Sequence, residues 1–540
     1  MNEVHTGHPR RWAILGVLVV SLLVVVLDNT VLNVALRTIA DPDAGLGADQ
    51  SELAWAINSY TLVFAGLLFT AGILADRFGR RLSLVAGLAV FGVASLISAY
   101  AQTPGQLIGA RALMGLGAAA VMPATLSIIA NVFEPRERGR AIGIWAGAVG
   151  LAAAVGPVVG GLLLENFWWG SVFLINVPIV VAGIVLMFVL VPESRDPKPG
   201  RIDIAGVVLS VLGLSLLTYG VITGGEDGFG RWQAWGSLAV AVAVLTAFVL
   251  YELRIPFPSL DVRLFADARF SASTGMIGLI FFASMGMMFF SAFYLQLVRG
   301  YGPLASGALF VPFAAGQLIF APRSAAMVER FGPKVVSVVG LVLVAAGLGG
   351  WMFIGASTPV AVIAVLFFVM GVGMANVMPP ATESIMASVP REKAGVGSAV
   401  SNTIRQVGGA LGVAVLGAVL SSVYRHDVAG ATAALPDAAR EAARESISGA
   451  YGVAADAGPA GQALMEGANT AFLTAMHWAA LGTTVFALLG VLVAVIWLPG
   501  RRPAGAPAPT VAEGLAEEQG VELVTAGAAE QAVDTGRVRS

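Results

Sequence analysis

The chain has 540 residues, of which 57% are hydrophobic and 12% charged, and its mean hydropathy is +0.83. Ordinary soluble domains carry about 25% charged residues, so the composition describes a polytopic membrane protein and excludes a soluble enzyme. A net charge of −2 implies no nucleic-acid partner, and the absence of cysteine excludes disulfides, thiol catalysis and cysteine-ligated metal.

The first apolar run starts at Trp12 behind Arg10 and Arg11. It is longer than a signal-peptide core and lacks a small-residue cleavage site, so it reads as a retained span. Within it, SLLVVVLDNTVLNVAL (21–36) sets Asp28, Asn29 and Asn33 among aliphatic residues. A charge at that depth costs about 2.5–3.5 kcal/mol. Asp28 is therefore either the structural partner of an internal arginine or a group for proton coupling or cation attraction. Asn29 and Asn33, four residues apart, share a face that can hydrogen-bond to a neighbouring helix.

Runs near the ~20 residues that cross a bilayer fall at 12–39, 53–75, 82–100, 106–131, 139–163, 171–191, 203–222, 234–250, 270–297, 303–322, 335–354, 358–380, 395–420 and 471–498, fourteen in all. Alternate connections carry the positive charge: DRFGRR at 76–81, EPRERGR at 134–140, ESRDPKPGR at 193–201, the 251–269 segment, the loop with Arg323, Arg330 and Lys334, and REK at 391–393. By the positive-inside rule these loops and both termini face the cytoplasm. The opposite connections are poorer in Lys and Arg. The longest, 422–470, contains LPDAAREAARESI, which suits a short surface helix. The tail after Pro503 has no hydrophobic period and is expected to be disordered.

In the loop after the second span, Asp76 sits beside Arg77, Arg80 and Arg81, with Gly79 supplying the tight turn. These charges set topology, and the carboxylate among arginines can also form a latch on the inner side. Arg111, near the exterior end of the fourth span, either pairs with an internal acceptor such as Asp28 or snorkels to the interface. The fifth span, GRAIGIWAGAVGLAAAVGPVVGG, holds the pairs Gly143/Gly147 and Gly156/Gly160, which permit close helix contact. Pro157 removes one helical hydrogen bond. FFASMGMMFFSAFYLQ (281–296) offers Met285, Met287, Met288, Phe289, Phe290 and Tyr294 to a hydrophobic cavity or to lipid packing. Glu383 is a second candidate for protonation or structural pairing. Arg405 lies in the thirteenth span, and His477 reads as an interfacial polar residue.

ADRFGRRLSL (75–84) parallels VERFGPKVVS (328–337), and GLGAAAVMPATLSI (115–128) parallels GVGMANVMPPATESI (371–385), at offsets of 253 and 256. Two ordered matches at nearly one offset mark an internal repeat in parallel copies, as in transporters whose halves rock about a central cavity. Six helices per copy leave two extra, most simply 203–250. The expected division is an N-terminal half 11–200, the additional pair 201–252, a C-terminal half 253–499 and a tail 500–540.

These motifs resemble the major facilitator superfamily, and the fourteen spans resemble its drug:H+ antiporter-2 group. LDNTVLNVAL (27–36) is similar to that group's first-helix signature, with Arg37 where a proline is usual. GILADRFGRR (72–81), RALMGLGAA (from Arg111) and GLAAAVGPVVGG (150–161) are similar to the signatures of the second-to-third, fourth and fifth helices. The resemblance covers roughly residues 11–499 and implies an all-α major facilitator fold. It assigns Asp28, Asn29 and Asn33 to coupling or substrate, Arg111 to proton relay, and Asp76, Arg77, Gly79, Arg80 and Arg81 to an inner gate. Gly156, Pro157, Gly160 and Gly161 would shape an antiporter bend. The implied activity is export of lipophilic, cationic drugs or antibiotics in exchange for protons, from an acidic, aromatic and Met-lined cavity. It would act without a cofactor, as a monomer in a bacterial plasma membrane. A dedicated exporter of one metabolite and a proton-coupled nutrient importer remain the alternatives. The sequence has no GxxxxGK or HExxH motif that would support ATP-driven export or metalloenzyme chemistry.

Overall fold

The computed structural model describes residues 8–41, 45–48, 50–195, 203–227, 232–255, 258, 260–390, 394–456 and 459–498. Regular structure among the described residues is entirely helical. The first part contains α1 (Arg11–Ala40), α2 (Gln50–Phe78), α3 (Arg80–Ala99), α4 (Pro104–Val132), α5 (Pro135–Asn166), the single turn α6 (Ser171–Leu174) and α7 (Asn176–Leu190). Then come α8 (Ile204–Asp227) and α9 (Trp232–Glu252). The remainder contains α10 (Ala268–Phe293), α11 (Pro303–Ala308), α12 (Val311–Phe331), α13 (Pro333–Gly350), α14 (Val360–Ser388), α15 (Ala394–Asp427), α16 (Asp437–Glu445), α17 (Ile447–Asp456) and α18 (Pro459–Trp497).

Thirteen segments are long and apolar enough to cross a bilayer among the described residues. The 32-residue α5, expected as the fifth of fourteen spans, lies among them in the bundle but is not one of the thirteen. Several helices outrun their expected limits. The 34-residue α15 and 39-residue α18 reach about 51 and 58 Å at 1.5 Å per residue, well beyond a ~30 Å hydrocarbon core. Hydropathy marks only the buried part of such a helix; Ala-rich chain continues the helix into water by intrinsic propensity. In the 422–470 connection α16 forms the short helix expected there, and α17 adds a second that was not expected. The Tyr424 hydroxyl donates to the Ala443 carbonyl (3.1 Å) and Tyr451 to Leu297 (2.9 Å).

Both repeated loops turn on glycine in the left-handed region. Gly79, between α2 and α3, has φ +125°, and Gly332, between α12 and α13, has φ +85°. A side chain is strained in that region, so the repeat preserves a backbone requirement at matched positions. Buried apolar side chains form two clusters. One draws on residues from Ile14 to Val191, with Met386 and Ala394, and the other chiefly on residues from Phe270 to Leu498, with Phe69, Leu214 and Phe248. Between the clusters, α5 lies against α12 and α2 lies against α15, while α5 also packs on α1 of its own cluster. The α8–α9 pair leans on this seam: α8 touches α2 and α15, while α9 exposes apolar residues such as Trp232 and Val242. Outward-facing apolar side chains suit a lipid environment, where every backbone polar group is satisfied within the helix.

Candidate functional site

Arg111 and Asp28 meet inside the first cluster. Arg111 is wholly buried and Asp28 is 2% exposed. The Arg111 Nη1 pairs with Asp28 Oδ2, Nη2 donates to Asn29 Oδ1 (3.2 Å), and Nε donates to the Ala56 carbonyl (3.1 Å). The guanidinium lies 4.5 Å from the Tyr60 ring centroid. The other oxygen of Asp28 accepts from Asn176 Nδ2 at 2.9 Å, and the same amide reaches Ser95 Oγ at 3.0 Å. Helices α1, α2, α3, α4 and α7 thus converge on one polar network. The α2–α4 approach depends on Gly115, where a Cβ would come 2.5 Å from the Tyr60 carbonyl oxygen. Asn176 was not singled out from sequence; its signal was the same as that of Asp28, a polar side chain set in FLINVPIVV. The side chains of Asn33, Arg37 and Pro157 lie outside the described residues.

Asp76 forms a second polar centre at the 76–81 end of the bundle. It is 6% exposed. Its Oδ1 accepts from Arg80 Nε (2.9 Å) and from the Gly395 amide (2.9 Å), and Oδ2 accepts from the Val396 amide (3.2 Å). Those two amides belong to the first turn of α15, whose N–H groups lack partners within the helix and whose dipole favours a carboxylate. Asp76 on α2 therefore caps a helix of the other cluster. Gly72 and Gly395 let the helices touch: a Cβ on Gly72 would lie 2.6 Å from the Gly395 oxygen.

Arg81 takes no part in that cap. Its backbone amide and that of Leu82 each donate to the Glu193 carboxylate at 3.1 Å, and its Nη1 donates to the Val191 carbonyl at 3.1 Å. Arg77 is half-buried, 5.8 Å from the Phe78 ring centroid. At the same end Arg11 Nε meets Glu137 Oε2 at 2.5 Å, tying the starts of α1 and α5 together. That hydrogen bond holds the Glu137 carboxyl below the ordinary glutamate range.

Helix α5 runs unbroken from Pro135 to Asn166, and its glycines act as contact points. A Cβ on Gly156 would fall 1.8 Å from Thr30 Oγ1, and one on Gly160 would fall 3.2 Å from Val31 Cγ1. Gly143 faces the Ala321 carbonyl of α12 at 2.4 Å on the same measure. A Cβ on Gly161 would meet nothing within 4 Å. Glu383, on α14, places its carboxylate against Gly139 of α5, within the fields of Arg138 and Glu329, in a different part of the bundle from Asp28. His477 is half-buried, its Nε2 hydrogen-bonded to the Ile354 carbonyl at 2.9 Å.

A partly open cavity of about 130 Å³ lies between α5, α10, α12, α14 and α15. Met285 and Met288 line it as expected, together with Met287, Trp145, Phe281, Gln317 and Arg405. Phe289 and Tyr294 do not. At 3.6 residues per turn Phe289 falls about 40° beyond Met285, at the edge of the lining face, and Tyr294 lies past Phe293, the end of α10. Phe289 packs on Phe293 at 5.2 Å, and Tyr294 donates to the Gly355 carbonyl (2.9 Å) beside Trp351. The expected acidic wall is also absent among the described lining residues: Asp28 is enclosed elsewhere, and the charged lining residue is Arg405.

Apolar helices in two clusters, a caged ion pair in one of them and a cavity along their seam define a multi-pass membrane protein built like a transporter. The chain matches the Major Facilitator Superfamily over residues 18–413 and belongs to it. It is 39% identical over 466 residues to the multidrug efflux pump LfrA of Mycolicibacterium smegmatis, covering 86% of this chain and 91% of that one. It is 35% identical over 414 residues to the tetracenomycin C resistance and export protein of Streptomyces glaucescens, covering 76% of each. With the methyl viologen resistance protein SmvA of Salmonella typhimurium the identity is 33% over 470 residues, 86% of this chain and 93% of that one. The crystal structure of the human organic anion transporter MFSD10 superposes with a TM-score of 0.59 at 16% identity, covering 90% of this chain and all of the other; that likeness concerns the fold alone.

Proposed function

We propose that the chain is a proton-coupled antiporter that exports lipophilic drugs or antibiotics from the cytoplasm. In this reading it has fourteen spans: six-helix halves at 11–200 and 253–499 and the additional pair at 201–252. It acts as a monomer in a bacterial plasma membrane, with both termini and the 500–540 tail on the cytoplasmic side. The observation that carries it is the buried Asp28–Arg111 pair, enclosed where lipid and water are both excluded. Protonating Asp28 leaves the guanidinium uncompensated, and a buried unpaired charge is strongly unfavourable. The proton is therefore accepted only with a rearrangement of α1, α2, α4 and α7 that gives Arg111 another acceptor. Because Asp28 does not line the cavity, drug and proton communicate through this rearrangement and not by competing for one carboxylate. The Asp76 cap on α15 is the element released when the cytoplasmic side opens. The relatives named for drug efflux and antibiotic export support the direction of transport.

A dedicated exporter of one compound is the second reading, favoured by relatives named for a single antibiotic, such as the puromycin resistance protein pur8 of Streptomyces alboniger. The test is purified protein in liposomes with an imposed proton gradient, following substrate flux and internal pH together. Export with counter-movement of protons, lost in Asp28→Asn, is expected. Flux without proton movement refutes antiport, flux with the proton gradient identifies an importer, and a panel of drugs separates the broad from the dedicated exporter.

A further inference from the structure

Arg405 lies eleven residues into α15, roughly 16 Å along its axis and so deep within the span. An ionisable group at such depth faces a cavity or a partner and marks a functional position. Arg111 and Arg405 are provided for differently. Arg111 has a carboxylate, an amide, a carbonyl and a ring. Arg405 has the Asn402 Oδ1 at 3.3 Å from Nη1, and two rings, Trp145 at 5.6 Å and Phe281 at 4.8 Å from the guanidinium carbon. Among the described residues no carboxylate forms an ion pair with it.

Ring faces attract a guanidinium but accept nothing in its plane, and that plane carries five N–H donors. The bond to Asn402 leaves most of this donor edge directed at whatever occupies the cavity. An oxygen-bearing occupant meets the fork with charge-assisted, bidentate geometry. A cationic occupant meets like charge across a poorly screened space, and two of the ring faces that would attract it, those of Trp145 and Phe281, are already engaged by Arg405. The remaining wall favours flat apolar bodies: Phe310, Phe313 and Phe367 supply rings, and Met370, Met374 and Met378 supply flexible, polarisable surface. The Gln317 amide adds a second neutral polar group.

We propose that this cavity selects planar aromatic compounds carrying an anionic oxygen group, held by Arg405, over neutral ones and over aromatic cations. The proposal deepens the export reading and rests on it for its cellular meaning, but binding tests it without transport. The probes are anthracene-9-carboxylate, 9-anthracenemethanol and 9-anthracenemethylammonium, measured by equilibrium dialysis against the full chain in nanodiscs at neutral pH, with quenching of Trp145 reporting occupancy. The carboxylate is expected to bind about tenfold or more tighter than the ammonium, with the alcohol between them. Arg405→Gln should bring the three within about threefold of one another, while Arg405→Lys, which keeps the charge and loses the fork, should preserve the order with a smaller spread. Equal or tighter binding of the ammonium by the native chain overturns the proposal, as does an unchanged order in Arg405→Gln. If Arg405→Gln does not fold, the native series and Arg405→Lys still decide. The same probes in proton-loaded liposomes separate the two readings: no movement of any probe with the binding order intact removes the export reading and leaves the cavity assignment standing.

Discussion

Arg111 holds together a network whose partners come from α1 and α2 and whose carboxylate is steadied from α7 by Asn176. Removing one member of a buried ion pair costs about 3–5 kcal/mol, whereas replacing both by apolar residues is often neutral. Asp28→Asn should therefore lower the thermal unfolding temperature in micelles as well as abolish gradient-driven export. Asp28→Leu combined with Arg111→Leu should recover most of that stability and none of the export, a separation that a purely structural pair would not produce. Asp28 was legible in the sequence because an aliphatic helix makes its cost obvious. Asn176 was not, because an amide near the start of a span looks like an ordinary interfacial residue until Asp28 Oδ1 is found 2.9 Å away. Composition likewise pointed to the Met- and Phe-rich 281–296 stretch, but which of its residues face the cavity depends on helix rotation and on depth along the helix, and these separated Met285 and Met288 from Phe289 and Tyr294.

At the scale of whole helices, close contacts within and between the clusters are made where side chains are missing. The α1–α5 seam is set by Gly156 against Thr30. Gly156→Val should impair folding and export, and Gly156→Ala should be partly rescued by Thr30→Ala, a non-additivity measurable in a double-mutant cycle. The α2–α15 seam is held by Asp76, and Ala399 beside Gly72 reports on it. In this cysteine-free chain Ala399→Cys is expected to react slowly with a thiol reagent, and roughly fivefold or more faster once Asp76→Asn weakens the charge-assisted bonds to Gly395 and Val396. The repeated loops were readable from DRFGRR and ERFGPK alone, because a glycine forced to positive φ leaves a fixed mark in sequence. The partner of Asp76 was not readable, since it is a pair of backbone amides some 320 residues away.

For the molecule as a whole, the bundle places Asp41 and the α16 residue Glu445 in connections of the same parity, both exposed. Asp41→Cys and Glu445→Cys should both be labelled on intact cells by an impermeant reagent; labelling of neither, in protein shown to be inserted, removes the proposed orientation. Hydropathy located thirteen of the expected spans among the described residues but not their lengths, because the overhanging turns of α15 and α18 are polar enough to escape a membrane scale and helical enough to continue. The placement of α8 and α9 on the α2–α15 seam was also beyond a one-dimensional reading, since their exposed apolar faces match any lipid-facing pair.

One rod spans the seam lock and the cavity. Gly395, bolted by Asp76, and Arg405, on the cavity wall, are ten residues apart on the continuous α15, about 15 Å of helix. A segment that short behaves as a stiff strut, so a displacement of its start at the cap is transmitted to Arg405. If releasing the cap moves α15, an occupant gripping Arg405 is thereby linked to it, and by reciprocity binding in the cavity would bias the lock.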